Sequence, residues 1–162
     1  MGRPRAFDTD QAIGAAATLF AAHGYEGTSV DDLVTATGIH RGSLYKVFGS
    51  KRSLHLTVLR NHLDHEIHPA TAAIATLTDP EQALTTAIAS YDNGPAAGLL
   101  LLAAAERAPH DREVAALVAE GIAALEDALR PSHGDAAPRM ASTVLGARLR
   151  LRAARPTASK EH

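Results

Sequence analysis

Residues 38–51 read GIHRGSLYKVFGSK. Ile39, Leu44 and Phe48 anchor one side of a short helix, while His40, Arg41, Gly42, Ser43 and Lys46 are left on the other. Gly38 suits the tight turn before it, and Gly49 followed by Ser50 closes it and caps whatever comes next. A short helix with an apolar footing and a basic outer side is either a solvated face or a reading head for nucleic acid.

The residues upstream favour the second reading. In TSVDDLV (28–34), Thr28 or Ser29 is placed to cap a helix whose first turn carries Asp31 and Asp32, where the helix dipole favours them. Gly38 ends that helix after Thr37. An earlier helix is expected from Asp8 or Thr9 to His23, with Ile13, Ala16, Ala17 and Phe20 on one face and Gly24 as its stop. Three short helices, the last two joined by a glycine turn, make a helix-turn-helix: one helix braces the DNA backbone and the next enters the major groove.

Charge is distributed accordingly. The chain has 162 residues and a net charge of −2, yet residues 1–60 carry seven Lys/Arg against five Asp/Glu, and no acidic residue lies between Leu33 and Leu63. One end of an otherwise acidic protein is built to meet a polyanion. Arg41 suits a guanine through two parallel hydrogen bonds, Ser43 a base or a phosphate, and Gly42 lets the backbone approach. Tyr45 and Lys51, the latter at a helix start, suit phosphates. Arg3 and Arg5, on a leader containing Pro4, suit an adjacent minor groove.

Residue identity adds a resemblance. Phe20, His23-Gly24-Tyr25, Thr28-Ser29-Val30 with Leu33, and the run TGIHRGSLYKVFGSKRSL (37–54) resemble the N-terminal domain of the TetR/AcrR family of bacterial transcriptional regulators. The resemblance implies that Ser29, Tyr45 and Lys51 hold phosphates, while His40, Arg41, Gly42, Ser43 and Lys46 face bases or nearby backbone. It implies a homodimer on a palindromic double-stranded operator and repression relieved by an unidentified small-molecule effector; separately, the lack of cysteine fits a cytoplasmic protein. The domains expected are an N-terminal arm and helix-turn-helix over 1–50 and a helical ligand-sensing and dimerisation domain over 51–162. Three positions depart from the usual pattern: Val34 stands where a small residue is common, His40 replaces Ser or Thr, and Val47 stands where an aromatic or histidine is common.

Beyond residue 50 the pattern stays helical. A long helix is expected from Lys51 to about 76, and Asp79-Pro80 starts another that reaches Tyr91. AAGLLLLAAAERA (96–108) is apolar nearly all round and reads as a buried central helix. Asp111 caps a helix ending at Leu129, RPSHGDAAP (130–138) reads as a connecting loop, and a last helix covers about 138–154. The fold class is therefore all-α, a three-helix head joined by a long helix to a helical body.

Alanine and leucine walls near Tyr91, Leu99 and Leu102, with His62 and Glu66 from the fourth helix, are the candidate ligand residues, suited to a small apolar or acyl-like molecule. The same apolar run also reads as plain core. Val118, Ile122, Leu125, Val144, Leu145 and Leu149 are the candidate dimer surface that the resemblance implies. Histidines 55, 62, 65 and 68 allow a metal-responsive alternative, although one helix supplies only pairs of ligands at a time. A further alternative is a helical interaction protein that binds no DNA.

Several classes find no support. There is no cysteine, hence no disulfide, thiolate metal site or thiol nucleophile. No glycine-rich phosphate loop or His-Glu-x-x-His string is present, no cofactor is expected, and no apolar run is long enough for a membrane span.

Overall fold

A computed structural model of the chain describes residues 8–154, and every regular element among them is helical. The expected arm residues Arg3 and Arg5, and the C-terminal tail with Arg155, lie outside the described residues. Helix α1 (Thr9–His23) begins because Asp8 Oδ1 accepts the N–H groups of Asp10 and Gln11 at 3.0 and 3.2 Å. It buries Ile13, Ala16 and Phe20, and ends at Gly24 with φ 74° and ψ 177°, a region open in practice to glycine alone. Helices α2 (Val30–Thr37) and α3 (Arg41–Phe48) follow, and Leu33, Ile39 and Leu44 close the head with Phe20. The main packing partners of α3 are α2 and α4, so its outer side stays open.

The long helix is one rod in three parts: α4 (Lys51–His62), a wide π turn (Leu63–Ile67) and α5 (His68–Ala75). The uninterrupted α-helix expected here is corrected by Pro69, which has no N–H for the carbonyl four residues back and whose ring crowds that carbonyl. Widening the preceding turn relieves the clash without ending the rod.

Two further expectations change. Helix α6 (Pro80–Ser90) starts at its Asp79 cap as predicted, but α7 (Leu99–Glu106) begins only at Gly98 and is not buried all round. Leu99, Leu100 and Ala103 are buried, Leu101 and Leu102 are half-buried and Ala105 is exposed, because so short a helix rests on the body from one side. Helix α8 (Arg112–His133) runs four residues past Leu129, straight through Pro131. The proline forfeits one bond in the last turn, and Ser132 Oγ donates to the Leu129 carbonyl at 3.1 Å. The expected loop shrinks to a 3₁₀ turn (Gly134–Ala136) before α9 (Ala137–Ala153).

Helix α8 is the axis of the body, touching α4, the π turn, α5, α6, α7 and α9. The fully buried Tyr91 donates its hydroxyl to the Gly121 carbonyl of α8 at 2.8 Å. A single buried cluster extends from Ala12 to Val144, so head and body share one apolar interior around the rod.

A Cβ at Gly24 would collide with the Glu106 carboxylate, besides adopting a strained backbone. Gly24→Ala is expected to lower the unfolding free energy by about 2 kcal/mol or more, read from urea denaturation. An unchanged midpoint would show that this junction yields freely.

Candidate nucleic-acid interface

Gly38 sits at φ 70° and ψ 13° with open space where a Cβ would lie, so the turn needs glycine for its conformation alone. Its N–H closes α2 on the Val34 carbonyl at 2.9 Å, and the chain re-enters helix at His40, which offers α3 no side-chain cap. The first N–H groups of α3 therefore lack both an intrahelical acceptor and a side chain to satisfy them. Ile39 and Leu44 are buried beneath, Phe48 is half-buried, and His40, Arg41, Gly42, Ser43, Tyr45, Lys46 and Val47 are exposed. Six of the sequence-predicted DNA residues thus share one solvent-facing segment.

Three of the predicted residues, Arg41, Ser29 and Lys51, have local commitments that the sequence did not reveal. Arg41 donates to Asp31 Oδ1 at 2.7 Å across the turn, a bond that raises its pKa. The pair is exposed on both sides, so solvent screens it and a phosphate or base competes readily for the guanidinium. Ser29 builds a capping box: its Oγ accepts the Asp32 N–H at 3.0 Å and donates to Asp32 Oδ2 at 2.7 Å. To bind a phosphate that hydroxyl must turn from a neighbouring carboxylate. Lys51 opens α4 with its Nζ 4.2 Å from the centre of the Tyr25 ring, half-buried rather than fully extended into solvent.

Behind the reading helix lies a junction to the body that the sequence reading did not assign. Tyr25 N–H donates to Glu106 Oε2 at 2.8 Å, and the Arg107 guanidinium lies 4.5 Å from the Tyr25 ring centre. Arg52 of α4 grips Asp111 with two bonds of 2.7 and 2.9 Å and adds Glu113 at 2.9 Å. The Arg52 fork holds the Asp111 carboxyl far below its ordinary range, while Asp111 and Glu113 raise Arg52. Asp111 was legible as a cap, and it does cap α8 through Glu113 and Val114; its second duty was not legible. His55 is buried against Phe20 and Tyr25, ring centres 4.8 and 5.0 Å away. Burial, then the charge of Arg107, lowers its pKa to about 4.

The candidate ligand residues are not gathered around one space. His62 is buried and pairs with Asp92 at 2.8 Å, Tyr91 is held on Gly121, and Leu99 is core, whereas Glu66 is exposed and Leu102 is half-buried. Glu66 lines an open groove of about 580 Å³ with His65, Thr86 and Asn93 on the outside of the rod. The four histidines diverge: His55 on the aromatic rings, His62 on Asp92, His65 on the Asn61 carbonyl at 3.0 Å and His68 on Glu120 at 3.1 Å. Among the described residues no three His, Cys, Asp or Glu side chains are grouped to hold a metal. Of the candidate dimer residues, Val118, Leu125 and Val144 are buried in the protomer's own core, which withdraws them from any surface between copies. Ile122 and Leu145 are half-buried and Leu149 is 58 % exposed.

Comparison with known proteins agrees with this geometry. Residues 12–58, which hold the three-helix head and the start of the rod, match the family described as bacterial regulatory proteins, tetR family. The chain is 32 % identical over 135 residues to YezE of Bacillus subtilis (strain 168), an uncharacterised helix-turn-helix transcriptional regulator, covering 79 % of this chain and 69 % of YezE. It is 41 % identical over 90 residues to the transcriptional repressor ComR of Escherichia coli (strain K12), covering 56 % of this chain but 41 % of ComR. Among solved structures it superposes with TM-score 0.76 and 26 % identity on a cysteine mutant of CifR bound to 26-bp double-strand operator DNA, covering 96 % of this chain and 92 % of CifR.

The buried His55 gives the junction a pH signature. Its pKa is near 6.5 when unfolded and about 4 when folded, so between these values the unfolded chain binds a proton that the folded chain does not. Stability, complete above pH ~6.5, is expected to fall through that window by up to about 1.4 kcal/mol per pH unit. His55→Phe, which keeps an aromatic ring against Phe20 and Tyr25, is expected to flatten the slope between pH 7 and 5. Equal slopes in urea titrations of the two proteins would count against the assignment.

Proposed function

This chain belongs to the TetR family of bacterial transcriptional regulators, and on that premise we propose that it works as a homodimeric repressor which leaves a palindromic operator when a small molecule binds. The observation that carries the reading is α3 itself: Leu44 is its one buried residue, and its exposed side offers Arg41, Ser43, Tyr45 and Lys46 beside uncapped helix amides. A helix so lightly anchored has little structural reason to be basic and open, whereas groove entry needs both properties. Its relatives are regulators rather than enzymes. We place it in the cytoplasm with the operator; among the described residues no helix is long and apolar enough to cross a membrane.

In this reading Arg41 exchanges Asp31 for a base edge or phosphate on binding, and His40, Gly42, Ser43 and Lys46 lie along the groove. Ser29, Tyr45 and Lys51 flank it on the backbone, Lys51 by swinging off the Tyr25 ring. Arg3 and Arg5 extend the contact into the minor groove. Two copies meet through the outer sides of α8 and α9, with the half-buried Ile122 and Leu145 at the seam.

Selection of bound sites from random DNA is expected to return a two-fold symmetric sequence bound in a salt-sensitive manner. Tyr45→Phe or Lys51→Ala should weaken all sequences alike, whereas Arg41→Ala should lose about tenfold in affinity and relax preference at particular bases. Full sequence discrimination by the Arg41 variant would remove it from the readout. Absence of any salt-sensitive DNA binding would favour the interaction-protein alternative.

A further inference from the structure

A cavity of about 670 Å³ opens between the end of α1, the turn over residues 94–98 and α9, and it is outside the interior where the sequence placed a ligand. Its walls include Ala21, Leu101 and Leu149, and Arg148 and Arg152 stand in it. Its size falls among small-molecule sites. Exposed aliphatic side chains at the mouth, Leu149 and Leu151, extend the apolar lining outward.

Arg152 is the unusual member. It is half-buried, and it donates to two backbone carbonyls, Ala21 at 2.6 Å and Ala97 at 3.3 Å. Among the described residues no carboxylate lies within ion-pairing distance of it, in contrast to Arg41, Arg52, Arg60 and Arg107. Two of the five N–H donors of a guanidinium are thus used, both by neutral acceptors. The turn is pressed against it, since a Cβ at Gly98 would lie 2.7 Å from its Nη1. Arg148 brings a second guanidinium, held on the Ile88 and Asp92 carbonyls at 3.3 and 2.8 Å. A half-desolvated cation with no carboxylate beside it among the described residues, in a cavity also lined by aliphatic side chains, lacks an anion.

We propose that this cavity binds an anionic amphiphile, a monocarboxylate on an apolar body, whose carboxylate pairs with Arg152. A planar fork and a carboxylate match through two parallel bonds, and an ionised acceptor outcompetes a neutral carbonyl. Arg152 also donates to the Ala21 carbonyl, near the C-terminal end of α1, the helix on which α2 and α4 pack, so a carboxylate that draws the guanidinium into the cavity lengthens the tie between the reading head and α9. That this constitutes operator release rests on the repressor reading above; the binding site does not.

Decanoate, below its micellar concentration, is the probe, titrated calorimetrically into the full chain beside decanol and decylammonium. Wild type is expected to bind decanoate at least tenfold more tightly than decanol and not to bind decylammonium. Arg152→Gln should erase that preference while leaving decanol affinity unchanged, Arg152→Lys should retain part of it, and Leu101→Trp should block the cavity to both. Tyr91→Phe, in the interior, should change nothing. No saturable decanoate binding to wild type, or the same preference in Arg152→Gln with an unaltered melting curve, overturns the proposal. A mobility shift with the selected operator separates the two readings: decanoate binding through Arg152 in a protein that holds no DNA would leave the site standing and sink the repressor.

Discussion

Helix α1 does not complete its own C-terminus. In a continuing helix the Tyr25 N–H would return to the Ala21 carbonyl; here Gly24 turns the chain aside, the N–H goes to Glu106 on α7, and the carbonyl is taken by Arg152 of α9. Both orphaned backbone groups are satisfied by charged side chains of the body, at ~1.5–3 kcal/mol for a bond of this kind. The head cannot turn away from α7 and α9 without breaking them. Gly24 follows from the same constraint, since any side chain there would occupy the place of the Glu106 carboxylate.

Around this closure the charged residues divide into two populations. At the junction, Asp111 is buried and held by the Arg52 fork and two helix amides, a set too interdependent for solvent or ligand to exchange piecemeal. On α3 the Arg41–Asp31 pair is exposed at both ends and Asp31 is easily replaced. The residues that hold the protein together and those free to meet a polyanion are thus distinguished by burial rather than by residue type. The aromatic set of Phe20, Tyr25 and His55 fills the space between them, with Lys51 and Arg107 both within cation–π range of Tyr25.

Much of the head was legible because its signals are local. Asp8, Ser29, Ser50, Asp79 and Asp111 each cap the helix that their position announces, and Gly38 turns where the sequence places the turn. The body was less legible where one residue type has two meanings. Proline at 131 reads as a stop, yet in the last turn of a helix packed along its whole length it removes one bond and the helix continues. Proline at 69 widens a turn instead of ending a rod. The leucines of α7 read as all-round core, but a helix of eight residues at the rim of the body leaves Leu101 facing a cavity.

The sequence by itself determined the three-helix head, its glycine turn and the exposed basic side of α3, because caps, turns and apolar spacing act over three or four residues. Tertiary structure decided which charges serve the surface and which serve the junction. Tyr25 meets Glu106 across 81 positions, Arg52 meets Asp111 across 59 and Ala21 meets Arg152 across 131, and no local pattern marks these pairings. It also decided where the body is hollow. Packing of Tyr91 onto Gly121 filled the interior that composition alone had offered to a ligand, and left the open space between α1 and α9.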